Sequence, residues 1–169
     1  GYCGTMIPQK GWHLLFEAFI RVRGQLAESK LHFFGGIPED PRFLTPQVFF
    51  HPPYERPAFP QILSSIDVGV IPSVFAETYC LVLSEYWQAN IPVAVSQIGA
   101  LGERVSDGRD GRIFLPGDVE GIANILDWFY RDRNWKEWTL PVPRGHRRHP
   151  WRGQRWRTRK QPRIPGHCS

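Results

Sequence analysis

The chain has 169 residues, with 21 Lys and Arg against 16 Asp and Glu, and a formal net charge of +5. That length suits one domain with a sizeable core, and no apolar run approaches the roughly 18 residues that cross a bilayer as a helix. The basicity is local: residues 141–169 hold nine Arg and Lys and no acidic residue, which leaves 12 basic and 16 acidic residues in the body, a net of −4 with no nucleic-acid footprint.

In chain order, Tyr2-Cys3 reads as the end of a strand and Gly4 as the start of a turn, with no secretory signal ahead of them. Leu14, Leu15, Ala18, Phe19 and Val22 fall on one face of a helix over Trp12–Val22, which Gly24 is expected to end. Lys30–Phe34 is the second expected strand, closed by Gly35-Gly36. Residues 37–60 are rich in proline and carry a short third strand at Val48–Phe50, then His51-Pro52-Pro53-Tyr54. A short helix is expected over Ala58–Ser65.

The stretch from Asp67 to Ser96 organises the rest. Its strand at Asp67–Ile71 is broken by Pro72-Ser73. Glu77 is expected to open a helix that runs to about Ala89, and a further strand covers Pro92–Ser96. Strand, loop, helix and strand make one unit of a parallel α/β sheet. Gln97–Gly102 reads as a glycine-bearing loop, and Glu103-Arg104-Val105 as part of a short helix. Arg112–Leu115 is the last expected strand, and Asp118 the N-cap of a helix carrying Ile122, Ala123, Ile125, Leu126 and Phe129. The fold class is therefore α/β, a doubly wound parallel sheet of about six strands, spanning 1–138.

Residues 139–169 differ in kind. Pro141, Pro143, Pro150, Pro162 and Pro165 interrupt a run of Arg and Trp with no helical or strand period, a composition that builds no core. This tail is expected to be disordered. A basic arm for anionic lipid or nucleic acid, a segment outside the native reading frame, and a surface for a partner domain are its competing readings. Cys3, Cys80 and Cys168 are odd in number and far apart, suiting neither a disulfide framework nor a zinc site, so a reducing, cytoplasmic setting is the default.

Two carboxylates hold the functional signal. Glu77 lies at the carboxyl end of a strand, where open α/β sheets bind ligands, and Glu85 lies eight residues further on. The unsatisfied N–H groups at the start of the expected helix, on Thr78, Tyr79, Cys80 and Leu81, form a seat for a phosphate or a sugar hydroxyl. The plain alternative is a Glu that complements a helix dipole and a second that is solvated.

The Glu, seven residues, Glu spacing, after a strand ending in Pro-Ser and before a Pro-Val strand, resembles the retaining GT-B glycosyltransferases of the group 1 family. Gly4-Thr5-Met6-Ile7-Pro8-Gln9-Lys10-Gly11 is similar to the family's opening loop, and Leu31 to Gly36 to its second strand and glycine turn. Gly99, Glu103-Arg104-Val105 and Asp107-Gly108-Arg109-Asp110-Gly111 fall in the family's order, over about residues 1–130. The resemblance implies the Rossmann-like donor-binding half of a GT-B enzyme, moving a hexose from a nucleotide-diphosphate sugar with retention. It makes Lys10 and Glu77 catalytic, Lys10 at the diphosphate and Glu77 at the sugar hydroxyls. Gly4, Thr5, Tyr54, Thr78, Tyr79, Cys80, Leu81 and Glu85 become donor-binding positions, with Glu85 on the ribose. It implies no metal and no cofactor beyond the donor. A facing amino-terminal domain and an unidentified acceptor are the implied partners, so the chain alone is expected to transfer nothing. Thr5 stands where the family carries Arg, and Cys80 where it carries Gly. These departures favour the alternative of a non-catalytic nucleotide- or sugar-binding module.

Overall fold

A computed structural model describes residues 1–132; the expected disorder of the tail and its boundary at 138 lie outside those residues. Six strands alternate with helices: β1 (Tyr2–Cys3), α1 (Trp12–Val22), β2 (Leu31–Phe34), β3 (Val48–His51), α2 (Phe59–Leu63), β4 (Gly69–Ile71), α3 (Leu81–Gln88), β5 (Val93–Ser96), α4 (Gly99–Arg104), β6 (Gly111–Phe114) and α5 (Val119–Arg131). Every strand pair is parallel.

The expected single sheet is instead two three-stranded sheets, β1-β2-β3 and β4-β5-β6. They meet where β1 lies beside β4. There the Gly1 nitrogen donates to Val68 O (2.6 Å) and Val70 N donates to Gly1 O (2.9 Å). The reason is length: β1 pairs with β2 through only two residues, Tyr2 and Cys3, too few to extend a full ladder to the other side. The spatial order 3-2-1-4-5-6 is that of a doubly wound fold, with its switch point at β1 and β4.

Side chains alternate across the sheets as the strand period requires. Tyr2, Phe33, Val70 and Ala94 face one core layer with Leu15, Ala18 and Phe19 of α1 and Ile122, Ala123 and Phe129 of α5. Cys3, Phe34, Ile71, Val93 and Val95 face the other with Phe59 of α2, Leu83, Tyr86 and Trp87 of α3 and Leu101 of α4. Helices thus cover both faces, and β5 is buried along its whole length.

Several details differ from expectation. α1 ends at Val22 with Arg23 as a right-handed C-cap, so Gly24 does not supply a left-handed stop. α3 begins at Leu81, not Glu77, because Cys80 takes a left-handed conformation (φ 60°, ψ 84°) that no α-helix includes. Gln97–Gly102 is largely helical, since α4 starts at Gly99. The last strand runs Gly111–Phe114 rather than Arg112–Leu115. Asp118 caps α5 as expected, accepting from Gly121 N at 2.8 Å.

Candidate donor site

The loops after β1 and β4 meet at the carboxyl ends of their strands, on either side of the seam. Pro8 opens a 3-10 turn, Pro8–Lys10, and Gly11 closes it in a left-handed conformation (φ 68°) before α1 begins. A Cβ on Gly11 would lie 1.9 Å from Pro72 O, so only glycine lets the first loop come this close to the second. Val74 N donates to Gln9 O (3.0 Å), joining the loops by backbone as well. Ser96 of β5 supports the second loop from beneath, donating to Ser73 O (2.6 Å).

This places Lys10 against Glu77. The Lys10 Nζ donates to Glu77 Oε1 at 2.5 Å, and Ser73 Oγ donates to the same oxygen at 2.9 Å. Glu77 is 16% exposed and Lys10 38%, so the pair is open to a ligand on the lysine side. The pair edges a recess of about 510 Å³, with Ile7, Gln9 and Lys10 on one wall and Phe75, Ala76, Glu77 and Thr78 on the other. A volume of that size holds a small-molecule ligand.

Glu85 lies in the second turn of α3, on the side of the loop after β3. Its Oε1 accepts from Arg56 at 2.7 Å; Glu85 is 18% exposed and Arg56 77%. Tyr54 belongs to the same group. Burial first, then the negative charge of neighbours that include Glu85, raises its hydroxyl pKa. One face of the Tyr54 ring stacks on Phe59, with centroids 5.1 Å apart.

The expected residues therefore fall into two groups. Lys10, Glu77 and Thr78 share the recess; Glu85 and Tyr54 form a separate group with Arg56. Gly4, at the end of β1, donates its N–H to Phe34 O (2.9 Å), and the exposed Thr5 accepts at its carbonyl from Tyr2 Oη (2.8 Å). Thr78 and Tyr79 precede α3 rather than open it, and Cys80 is its N-cap, so of the four expected N–H donors only Leu81 belongs to the helix. Burial raises the pKa of the Cys80 thiol, and Glu77 adds to the rise, against the opposing effects of the Leu83 N–H, then Lys10 and Arg104.

Sequence reasoning missed Ser73, Arg56 and Arg104. Ser73 was visible only as part of a strand-breaking Pro-Ser, and Arg56 only as one charge in a proline-rich loop. Arg104 donates to the carbonyls of Tyr79 and Cys80 and to Ser84 Oγ. Nothing in its spacing from Cys80 announces that contact.

Residues 1–132 match the family described as glycosyl transferases, group 1. The sulfoquinovosyl transferase SQD2 of Arabidopsis thaliana is 30% identical over 128 residues, 72% of this chain and 25% of its own length. The D-inositol 3-phosphate glycosyltransferase of Arthrobacter sp. (strain FB24) is 32% identical over 85 residues, 50% of this chain and 20% of its own. The chain thus spans a fifth to a quarter of the length of these curated relatives. Among solved structures, the carboxyl-terminal domain of the group 1 glycosyl transferase LpcC of Francisella tularensis superposes with a TM-score of 0.71 at 20% identity, covering 82% of this chain and 78% of that one. HepE of Anabaena, solved in complex with UDP and glucose, superposes with a TM-score of 0.69 at 23% identity, covering 80% of this chain and 39% of that one. These structural likenesses concern the fold.

Proposed function

The chain belongs to the group 1 glycosyl transferases, and from that membership we propose that residues 1–132 form the donor-binding half of an enzyme moving a hexose from a nucleotide-diphosphate sugar to an acceptor with retention. One observation carries the reading: the ion pair of Lys10 and Glu77 at the edge of a recess at the switch point of the sheet. HepE, solved with UDP and glucose, is a structural neighbour and supports the ligand class.

Negative charge builds on the leaving diphosphate as the glycosidic bond breaks, and preorganised donors must meet it. Lys10 is the cation of the recess, and the Leu81 N–H at the start of α3 would serve as a backbone donor. As the diphosphate draws Lys10 away, Glu77 is freed to accept from sugar hydroxyls while Ser73 keeps it in place. Glu85 accepts from the ribose hydroxyls; two vicinal hydroxyls suit one carboxylate. Gly4 and Thr5, in the opening loop with Lys10, lie with Thr78, Tyr79 and Cys80 at the diphosphate, and the open face of Tyr54 lies at the base. The countercharge comes from side chain and backbone, so the reading calls for no metal and no further cofactor. A second domain brings the acceptor, and the present chain alone transfers no sugar. Free thiols at Cys3 and Cys80 suit a cytoplasmic setting, with the basic tail as the segment that would touch an anionic membrane.

Thr5, which adds no charge at the diphosphate, favours a second reading, a module that binds the nucleotide sugar without transferring it. Calorimetric titration with UDP, GDP, ADP and uridine tests the shared premise of both. A nucleoside diphosphate should bind more tightly than the nucleoside, and Lys10→Ala should remove that difference. Equal binding of diphosphate and nucleoside leaves the donor site without support. Release of sugar to an acceptor by this chain in isolation would overturn the need for a second domain.

A further inference from the structure

Among the described residues, three other than glycine take a left-handed backbone conformation: Gln47 (φ 70°), Cys80 (φ 60°) and Asn90 (φ 60°). A side chain is disfavoured there because Cβ crowds the following carbonyl. Two of the three have local support. Asn is the residue type that tolerates this region best, and Asn90 sits just past the end of α3, its N–H bonded to Trp87 O (2.9 Å). Gln47 secures itself, its Nε2 donating to Ala27 O (3.1 Å) and Ser29 O (3.2 Å).

Cys80 has neither device: Cys has no preference for this region, and its sulfur meets the Leu83 N–H inside the first turn of α3 rather than any group of the loop before it. The conformation is held from outside. Arg104, the last residue of α4, donates through Nη1 to the carbonyls of Tyr79 and Cys80, and through Nη2 to Ser84 Oγ at 2.7 Å in the first turn of α3. Its guanidinium lies over the Tyr79 ring, 4.3 Å from the centroid, and 5.4 Å from that of Trp87. Three acceptors and two aromatic faces thus converge on one planar group, a geometry that lysine cannot reproduce.

The other end of α4 grips the same loop. Ala100 N donates to Glu77 O (2.9 Å), and a Cβ on Gly99 would lie 2.7 Å from that oxygen. The segment from Glu77 to Cys80 is therefore tied to α4 at both ends, by backbone at Glu77 and by Arg104 at Tyr79 and Cys80.

We infer that Arg104 is a positioning residue for the donor site, holding the 77–80 loop in its ligand-ready form by enforcing the left-handed turn at Cys80. The inference rests on the donor-site reading only for its binding readout. Because the strain lies at Cys80, glycine at that position should make Arg104 dispensable.

The test is a double-mutant cycle on the 169-residue chain, read by UDP titration and by hydrogen exchange of the amides of 78–82. Arg104→Ala should weaken UDP binding about tenfold and speed exchange at 78–82, while exchange in α1, α5 and β5 stays unchanged. Adding Cys80→Gly should restore most of the binding and the protection lost in Arg104→Ala, with Cys80→Gly alone as the reference against which the restoration is read. Should Arg104→Ala fail to fold, Arg104→Lys carries the same comparison, since the ammonium reaches only part of the set. Additive effects of the two substitutions, or unchanged exchange at 78–82 in either Arg104 variant, would overturn the inference. If the unaltered chain binds no UDP, the donor-site reading falls, and the exchange pattern alone still decides the role of Arg104.

Discussion

At φ 68°, with Pro72 O 1.9 Å from where a Cβ would stand, Gly11 admits no side chain without separating the two loops of the site. Gly11→Ala should therefore cost about 1–2 kcal/mol from the backbone conformation alone, with the clash added, and should displace Lys10 from Glu77. Urea unfolding measures the first effect and loss of diphosphate preference the second. Glu85 offers a cleaner probe, since Glu85→Gln keeps its volume. It should weaken nucleotide binding by about 1–3 kcal/mol, the worth of a hydrogen bond to a charged acceptor. A titration in which Glu85→Gln binds as tightly as the parent would remove the ribose from this carboxylate. Residues such as these were legible where their type is distinctive. Lys10, Glu77 and Glu85 stand out by charge and spacing. Ser73 and Arg56 do not, because each gains its role from a partner that is close only in the folded chain.

Elements with a strong period could be read in advance, and those set by a single dihedral could not. Trp12–Val22 repeats its apolar residues every three or four positions, and Asp118 announces α5 by its capping side chain. The start of α3 was misplaced by four residues because a left-handed Cys80 leaves no trace in composition. α4 was hidden by Gly99 and Gly102, which suggest a loop until the contacts of Ala100 and Leu101 are known. On the paired strands β2 and β3, His32 and His51 lie with Nδ1 and Nε2 3.0 Å apart. Burial, and then nearby positive charge, lowers the His32 pKa from 6.5 to about 4; burial lowers that of His51 too. Between pH 6.5 and 4 the unfolded chain binds a proton at residue 32 that the folded chain refuses, so stability should fall as pH drops through that window and level off below it. Urea midpoints measured across that range should slope less steeply in His32→Gln. An unchanged slope would place the acid sensitivity elsewhere.

Across the whole molecule, the seam between the two sheets and the candidate site coincide. Lys10 follows β1 of one sheet and Glu77 follows β4 of the other, so a ligand resting on both spans the place where the backbone ladder is thinnest. Nucleotide binding should then protect the fold as a unit: at a UDP concentration about 100 times its Kd, stability in urea should rise by about 2.7 kcal/mol. Absence of that rise with UDP would show that the unfolded chain binds the nucleotide as well. The order of the chain adds a kinetic consequence. The two partners of the ion pair lie 67 positions apart in the chain, so the recess should be among the last features to appear as the chain collapses. Added nucleotide should leave the rate of folding untouched and act only on the way out, slowing the escape from the native state in proportion to its occupancy.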